Sequence, residues 1–172
     1  IPTTGTIVVD GERFDVTGTS WLDREWSTSA LSPDVAGWDW LAVHLDDGRA
    51  LMVYRLRRRD GSATAESRAT VIEPDGRTRS FAPPDFTITA PGTWTSPRTG
   101  TTYPAGLELR IPALALLVTA RPLVADQELR LSVRYWEGAV SAEGREGERR
   151  LTGSGYLELV GYGGRPSDVA HR

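Results

Sequence analysis

Four Asp-Gly pairs, at positions 10–11, 47–48, 60–61 and 75–76, each fall between short runs of β-branched, aromatic or aliphatic residues. This is the strongest short-range hairpin signal, because the tight turns that join twisted strands need a backbone with positive φ, which glycine adopts at no steric cost. The pattern predicts an antiparallel meander. Residues 6–9 are expected to face 13–17, and 41–45 to face 50–56, which leads through Asp60-Gly61 to 69–73. Further strands are expected at 86–90, 106–111, 116–120, 129–137 and 155–162. No segment repeats apolar residues at i, i+3, i+4 and i+7 over the length of a helix, so helix should be scarce. About ten short strands mean a barrel or a sandwich, since both solve the exposed-edge problem of a large antiparallel sheet.

At 172 residues the chain is expected to form a single domain spanning 1–172. All 20 of its positive charges are arginines and its net charge is −3, which offers no broad basic footprint for nucleic acid. The run Arg55, Arg57, Arg58, Arg59 reads as a solvated strand end. Cysteine is absent, which excludes disulfides and thiol chemistry. No apolar run approaches the roughly 18 residues a spanning helix needs, so no membrane span is expected. The only histidines are His44 and His171, too little material for a histidine metal site or a Ser-His-Asp triad, and neither metal nor cofactor is expected. The opening at Ile1 points to a removed leader or an excised piece.

Two longer irregular stretches, 27–37 and 91–105, read as loops of functional length, and the charged, glycine-rich run 143–150 as a mobile hairpin tip. Gly153 and Gly155 read as relief of crowding where a strand bends.

Four of the six tryptophans, Trp21, Trp26, Trp38 and Trp40, fall within twenty residues and lie beside Asp23, Glu25 and Asp39. If 21–26 is extended, Trp21, Asp23 and Glu25 share one side of it. Trp38, Trp40, Ala42 and His44 share a face of the next strand, and Tyr54 joins them across the 46–49 turn. An apolar wall raises a carboxyl pKa and readies it as a general acid, while aromatic faces stabilise positive charge. The plainer alternative is that such pairs, for instance Arg24 with Asp39, close a barrel end. Tyr135 and Glu137 share a face, as do Tyr156 and Glu158; these acids either line a cavity or bond arginines such as Arg110 or Arg134 at a rim.

Seven ordered segments carry a family resemblance: GTSWLDREWS at 18–27, GWDW at 37–40, LDDGRALMVYRLR at 45–57, WTSPRTGTTYP at 94–104, RIPAL at 110–114, YWEGAV at 135–140 and GYLELVGY at 155–162. Together they resemble the C-terminal half of AttH-like proteins, the family that includes the carotenoid 1,2-hydratases. The resemblance implies an all-β, antiparallel lipocalin-like (calycin) β-barrel of about ten strands, the second of two in the full-length architecture. It also implies export to the periplasm or cell surface, and a partner in the form of a preceding lipocalin-like domain or a second copy of this one.

The expected function is binding of an apolar or amphipathic small molecule of lipid, polyene or isoprenoid class. Trp21, Trp26, Trp38, Trp40, His44, Tyr54, Tyr135 and Glu137 are the candidate ligand contacts. The alternative implied by the resemblance is an acid-catalysed hydro-lyase or cyclase. There Asp23, in the aromatic-x-Asp motif of Trp21-Leu22-Asp23, donates a proton to a double bond, and Glu25 or Glu137 positions water. A third reading is purely structural, a half that packs on an N-terminal partner.

Overall fold

The computed structural model of the chain describes residues 1–24, 32–130 and 134–163. The chain divides into two compact units, Ile1–Ala30 and Leu31–Arg172.

The first unit is a two-stranded hairpin of β1 (Pro2–Val9) and β2 (Glu12–Thr19), in register from Pro2 opposite Thr19 to Val9 opposite Glu12. Its turn is made by Asp10 and Gly11, both at positive φ (50° and 83°), the two-residue connection whose twist matches that of the flanking strands. Residues 21–24, expected to be extended if stranded, carry no regular structure. Glu25 and Trp26 lie outside the described residues.

The second unit holds β3 (Val35–Leu45), β4 (Ala50–Arg58), β5 (Arg68–Ile72), β6 (Thr78–Phe81), β7 (Thr87–Thr89), β8 (Thr93–Thr95), β9 (Thr102–Pro104), β10 (Leu107–Ile111), β11 (Leu116–Pro122), β12 (Glu128–Arg130), β13 (Arg134–Glu146) and β14 (Arg149–Val160). A single 3-10 turn, Pro112–Leu114, is the one helical element among the described residues. Ten of these strands form one antiparallel sheet in the order β6-β5-β4-β3-β14-β13-β11-β10-β7, with β12 added beside β13, while β8 and β9 pair separately.

The sheet curls. Ile88 on edge strand β7 belongs to the same apolar cluster as Leu51 on β4 and Val71 on β5, and Arg55 of β4 donates to the Ile88 carbonyl at 3.1 Å. Sheet order alone places β4 and β7 six strands apart. The architecture is therefore the curled antiparallel sheet of a lipocalin-like fold, as the family resemblance implied, where the hairpin pattern by itself left barrel and sandwich open.

The three remaining Asp-Gly pairs build one turn three times over. Gly48, Gly61 and Gly76 all sit at φ near 84–85°, and their N–H groups donate back to Leu45, Arg58 and Glu73. Asp47, Asp60 and Asp75 accept from the backbone N–H two residues on. That is a tight turn closed by glycine in the left-handed region, held by an aspartate side chain.

Alternation then decides what is inside. On β3 the odd positions Leu41, Val43 and Leu45 are buried, and β4 adds Leu51 and Val53, β5 Ala69 and Val71, β13 Trp136 and Val140, and β14 Leu157 and Leu159. Gly155 stands opposite Val43 on β14, where an added Cβ would lie 2.0 Å from the Ala42 carbonyl oxygen. The crowding expected at Gly153 and Gly155 is thus real, and glycine lets the two strands approach there.

Two expected loops are more ordered than their composition suggested. The stretch 91–105 contains the β8–β9 hairpin, and 143–150 is strand on both sides of a turn at Gly147.

Candidate functional site

The sequence-predicted residues of the second unit gather on one side of the sheet, the side opposite the buried core. Register places Glu137 opposite Glu158, Glu158 opposite Trp40, Trp40 opposite Tyr54, and Tyr54 opposite Arg68, a single row across β13, β14, β3, β4 and β5. The next row runs Ala139, Tyr156, Ala42, Met52 and Thr70, and the one beyond it Ser141, Ser154, His44, Ala50 and Ile72.

Beside the acidic row, Trp38 donates its indole N–H to Glu158 Oε1 at 2.8 Å. Its ring meets Tyr135 edge-on, 6.1 Å between centroids at 78°. Trp38, Trp40, Tyr54, Tyr135, Glu137 and Glu158 are half-buried, and Tyr156 is 40% exposed. Burial, reinforced by the charges of Glu137 and Glu158, pushes the Tyr156 phenol up. His44 shares this face, and burial holds its imidazole below the usual histidine range.

Of the two arginines named for these acids, one is engaged elsewhere and the other lies at a distance in the sheet. Arg134 donates to Thr101 Oγ1 and to the Gly163 carbonyl, and Arg110 lies on β10, three strands from β14.

In the first unit Trp21 is half-buried. Asp23 is exposed and accepts a hydrogen bond from the Arg24 backbone N–H at 3.1 Å.

The concave side holds a polar network that the sequence reading missed. Asp39, on the core face of β3, is fully buried. Arg55 reaches its Oδ2 with Nε at 2.7 Å and Nη2 at 2.6 Å, Arg57 reaches Oδ1 at 3.1 Å, and the Tyr162 hydroxyl donates to Oδ1 at 2.8 Å. The Arg57 guanidinium also stacks over the Tyr162 ring at 3.9 Å. Asp39 therefore pairs with Arg55 and Arg57, not with Arg24, and half of the expected solvated arginine run turns inward. The signal was in the sequence: Asp39 shares parity with Leu41 and Val43, and the 46–49 turn sets Arg55 opposite it.

A second buried acid, Glu128, accepts from Ser96 Oγ (2.7 Å), Thr99 Oγ1 (2.7 Å) and the Tyr103 hydroxyl (2.9 Å). Burial alone would push its pKa up. The hydroxyl donors outweigh that and hold the carboxyl below the ordinary 4.5. Burial and the neighbouring Glu128 in turn push the Tyr103 phenol up. Because the folded value is the lower one, the stabilisation from Glu128 is full above about 4.5 and is lost as pH falls through its folded value. Urea midpoints measured from pH 6 to pH 3 should fall less steeply in Glu128→Gln than in the parent. Equal slopes would remove Glu128 from the acid response.

Among the described residues, no cluster of three or more His, Cys, Asp or Glu is placed to hold a metal ion, and no helix is long and apolar enough to cross a membrane. A groove of about 300 Å³ lined by Arg110, Pro112, Ala115, Leu116, Leu117 and Arg145 contains none of the predicted site residues.

Comparison with known proteins adds the lineage. No curated protein sequence matches the chain. A Nitrosomonas europaea protein assigned as AttH, known from its crystal structure, superposes with a TM-score of 0.83 at 39% identity over 94% of this chain and 50% of its own. Kievitone hydratase from Nectria haematococca superposes at 0.74 with 21% identity, again over 94% of this chain and 50% of its own, a likeness of fold. The chain spans about half the length of these solved structures. With residues 1–162 matching the AttH-like family, this chain belongs to the AttH-like proteins.

Proposed function

We propose that this chain is a lipocalin-like domain that binds an apolar or amphipathic small molecule of lipid, polyene or isoprenoid class on the aromatic face of its sheet. One observation carries the reading. The sheet side turned away from the core gathers Trp38, Trp40, Tyr54, Tyr135 and Tyr156 around two glutamates, where the outer side of an antiparallel sheet ordinarily carries polar side chains. Clustered rings with a few polar groups are what an amphipathic ligand, or a partner domain, requires.

Since the matched structures are about twice as long, a preceding lipocalin-like half or a second copy is the proposed protein partner. Export to the periplasm or cell surface is proposed from the family resemblance and is checked by cell fractionation.

The hydratase reading, with Asp23 as proton donor and Glu25 or Glu137 positioning water, takes second place. Asp23 is exposed, without the apolar wall that protonating a double bond calls for. The kievitone hydratase likeness keeps a hydro-lyase activity within the proposal.

The test is a titration of tryptophan fluorescence with a long-chain polyene alcohol. Micromolar binding that quenches the emission is expected. Trp40→Ala should weaken it about tenfold or more, because a buried aromatic contact contributes about 1.5–3 kcal/mol. A folded sample in which no apolar probe alters the emission would overturn the binding role.

A further inference from the structure

Far from the aromatic rows, the outer side of the sheet is basic. Register sets Arg110 of β10 opposite Leu117 of β11, Leu117 opposite Arg145 of β13, and Arg145 opposite Arg150 of β14. Along β13, Arg145 lies about 27 Å beyond Glu137 at the rise of an extended strand. The three arginines are exposed and Leu117 is half-buried.

Among the described residues, none of the three forms an ion pair. Arg145 reaches only the Gly147 carbonyl, at 3.5 Å, a distance at which little of a hydrogen bond is left. Arg145 and Arg150 stand directly opposite each other, where like charges repel. The acids Glu108 and Glu143 stand in the next row, on either side of Thr119, and pair with no arginine.

The groove of about 300 Å³ opens against this row. Arg110 and Arg145 line it together with Pro112, Ala115, Leu116 and Leu117, and no acid does. Backbone geometry fixes its wall: Ala115 closes the 3-10 turn at φ 49°, and its carbonyl accepts from the Gly147 N–H at 3.0 Å. The β10–β11 turn is thereby tied to the β13–β14 turn, and the cleft between the two guanidiniums is formed before any ligand arrives.

We propose that this groove binds a small amphipathic anion. Its carboxylate or phosphate-ester head lies between the guanidiniums of Arg110 and Arg145, whose planar forks match either group. Its apolar body lies on Leu117 and Pro112. At roughly 30 Å³ for each water-sized group, the groove takes about ten heavy atoms, the size of an eight-carbon acid. Arg150 touches Arg145's strand rather than the groove and adds to the attraction. A neutral ligand of the same length gains only the apolar contact, and a cation meets three guanidiniums. This site is separate from the aromatic face, so its failure leaves the reading of that face untouched.

The experiment titrates the protein with octanoate, octyl phosphate, octanol and octylammonium, each below its micelle concentration. Calorimetry gives the affinities, and NMR amide shifts locate the contact. At least one of the two anions is expected to bind about tenfold or more tighter than octanol, with octylammonium weakest and the shifts concentrated at 110–117 and 145–147. The tighter anion identifies the head group.

R110Q and R145Q remove charges that have no ion-pair partner to lose, so both should fold as the parent does. Each should lower the ratio of anion to alcohol affinity about fivefold. R121Q removes an arginine from the same side of β11 that does not line the groove, and should leave the ratio unchanged. Equal affinity for both anions and octanol overturns the site. So does an R121Q loss as large as that of R110Q, which would assign the attraction to the surface at large, or a set of shifts that avoids the groove.

Discussion

Asp39→Asn is expected to destabilise the protein by about 3–5 kcal/mol, as removal of one partner from a buried ion pair typically does. The carboxylate is fully buried and faces two guanidiniums and a phenol hydroxyl. Asparagine keeps the shape but leaves Arg55 and Arg57 in a low-dielectric site without a counter-charge, and its amide N–H groups point donors at donors. Urea unfolding measures the loss directly. Arg58→Gln is the control, since its contact with Asp34 is made by a side chain 40% exposed to one 62% exposed and surface pairs of that kind contribute little. A loss below about 1 kcal/mol for Asp39→Asn would show that the arginines find water or other partners, and the network would lose its structural role.

Trp136→Ala should cost a similar amount, about 3–5 kcal/mol, through lost apolar burial and the cavity left behind. Trp136 is among the largest fully buried side chains, and its indole N–H donates to the Ala125 carbonyl at 2.8 Å, tying the segment before β12 to β13. Its sequence neighbour Glu137 points to the other side of the sheet, so Glu137→Gln should change stability by no more than about 0.5 kcal/mol. The contrast between adjacent positions is the measurement. Comparable losses at both would mean that β13 does not alternate between core and outer face.

The backbone was largely legible before any coordinates. Asp-Gly pairs dictate positive-φ turns, and turns of fixed length dictate register. The pairing of β1 with β2 and of β3 with β4 through β5 therefore follows from local chemistry alone. The short strands β6, β8 and β9 were not legible. Three or four residues carry too little alternation to stand out, and β8 and β9 are held by the Glu128 hydroxyl network, whose members lie about thirty residues apart.

The candidate site divides in the same way. Parity in the sequence puts Trp38, Trp40 and His44 together, and Tyr135 with Glu137, because the side-chain period of a strand is two. Only the curl of the sheet decides that these sets lie on the outer face and that Asp39, Arg55 and Arg57 lie within, since alternation defines two faces without saying which one the molecule closes around. The row that joins Glu137, Glu158, Trp40 and Tyr54 likewise depends on β14 inserting between β3 and β13. That pairing spans more than a hundred residues, and the burial of Leu41, Leu157 and Trp136 in one core fixes it. No local turn could have done so.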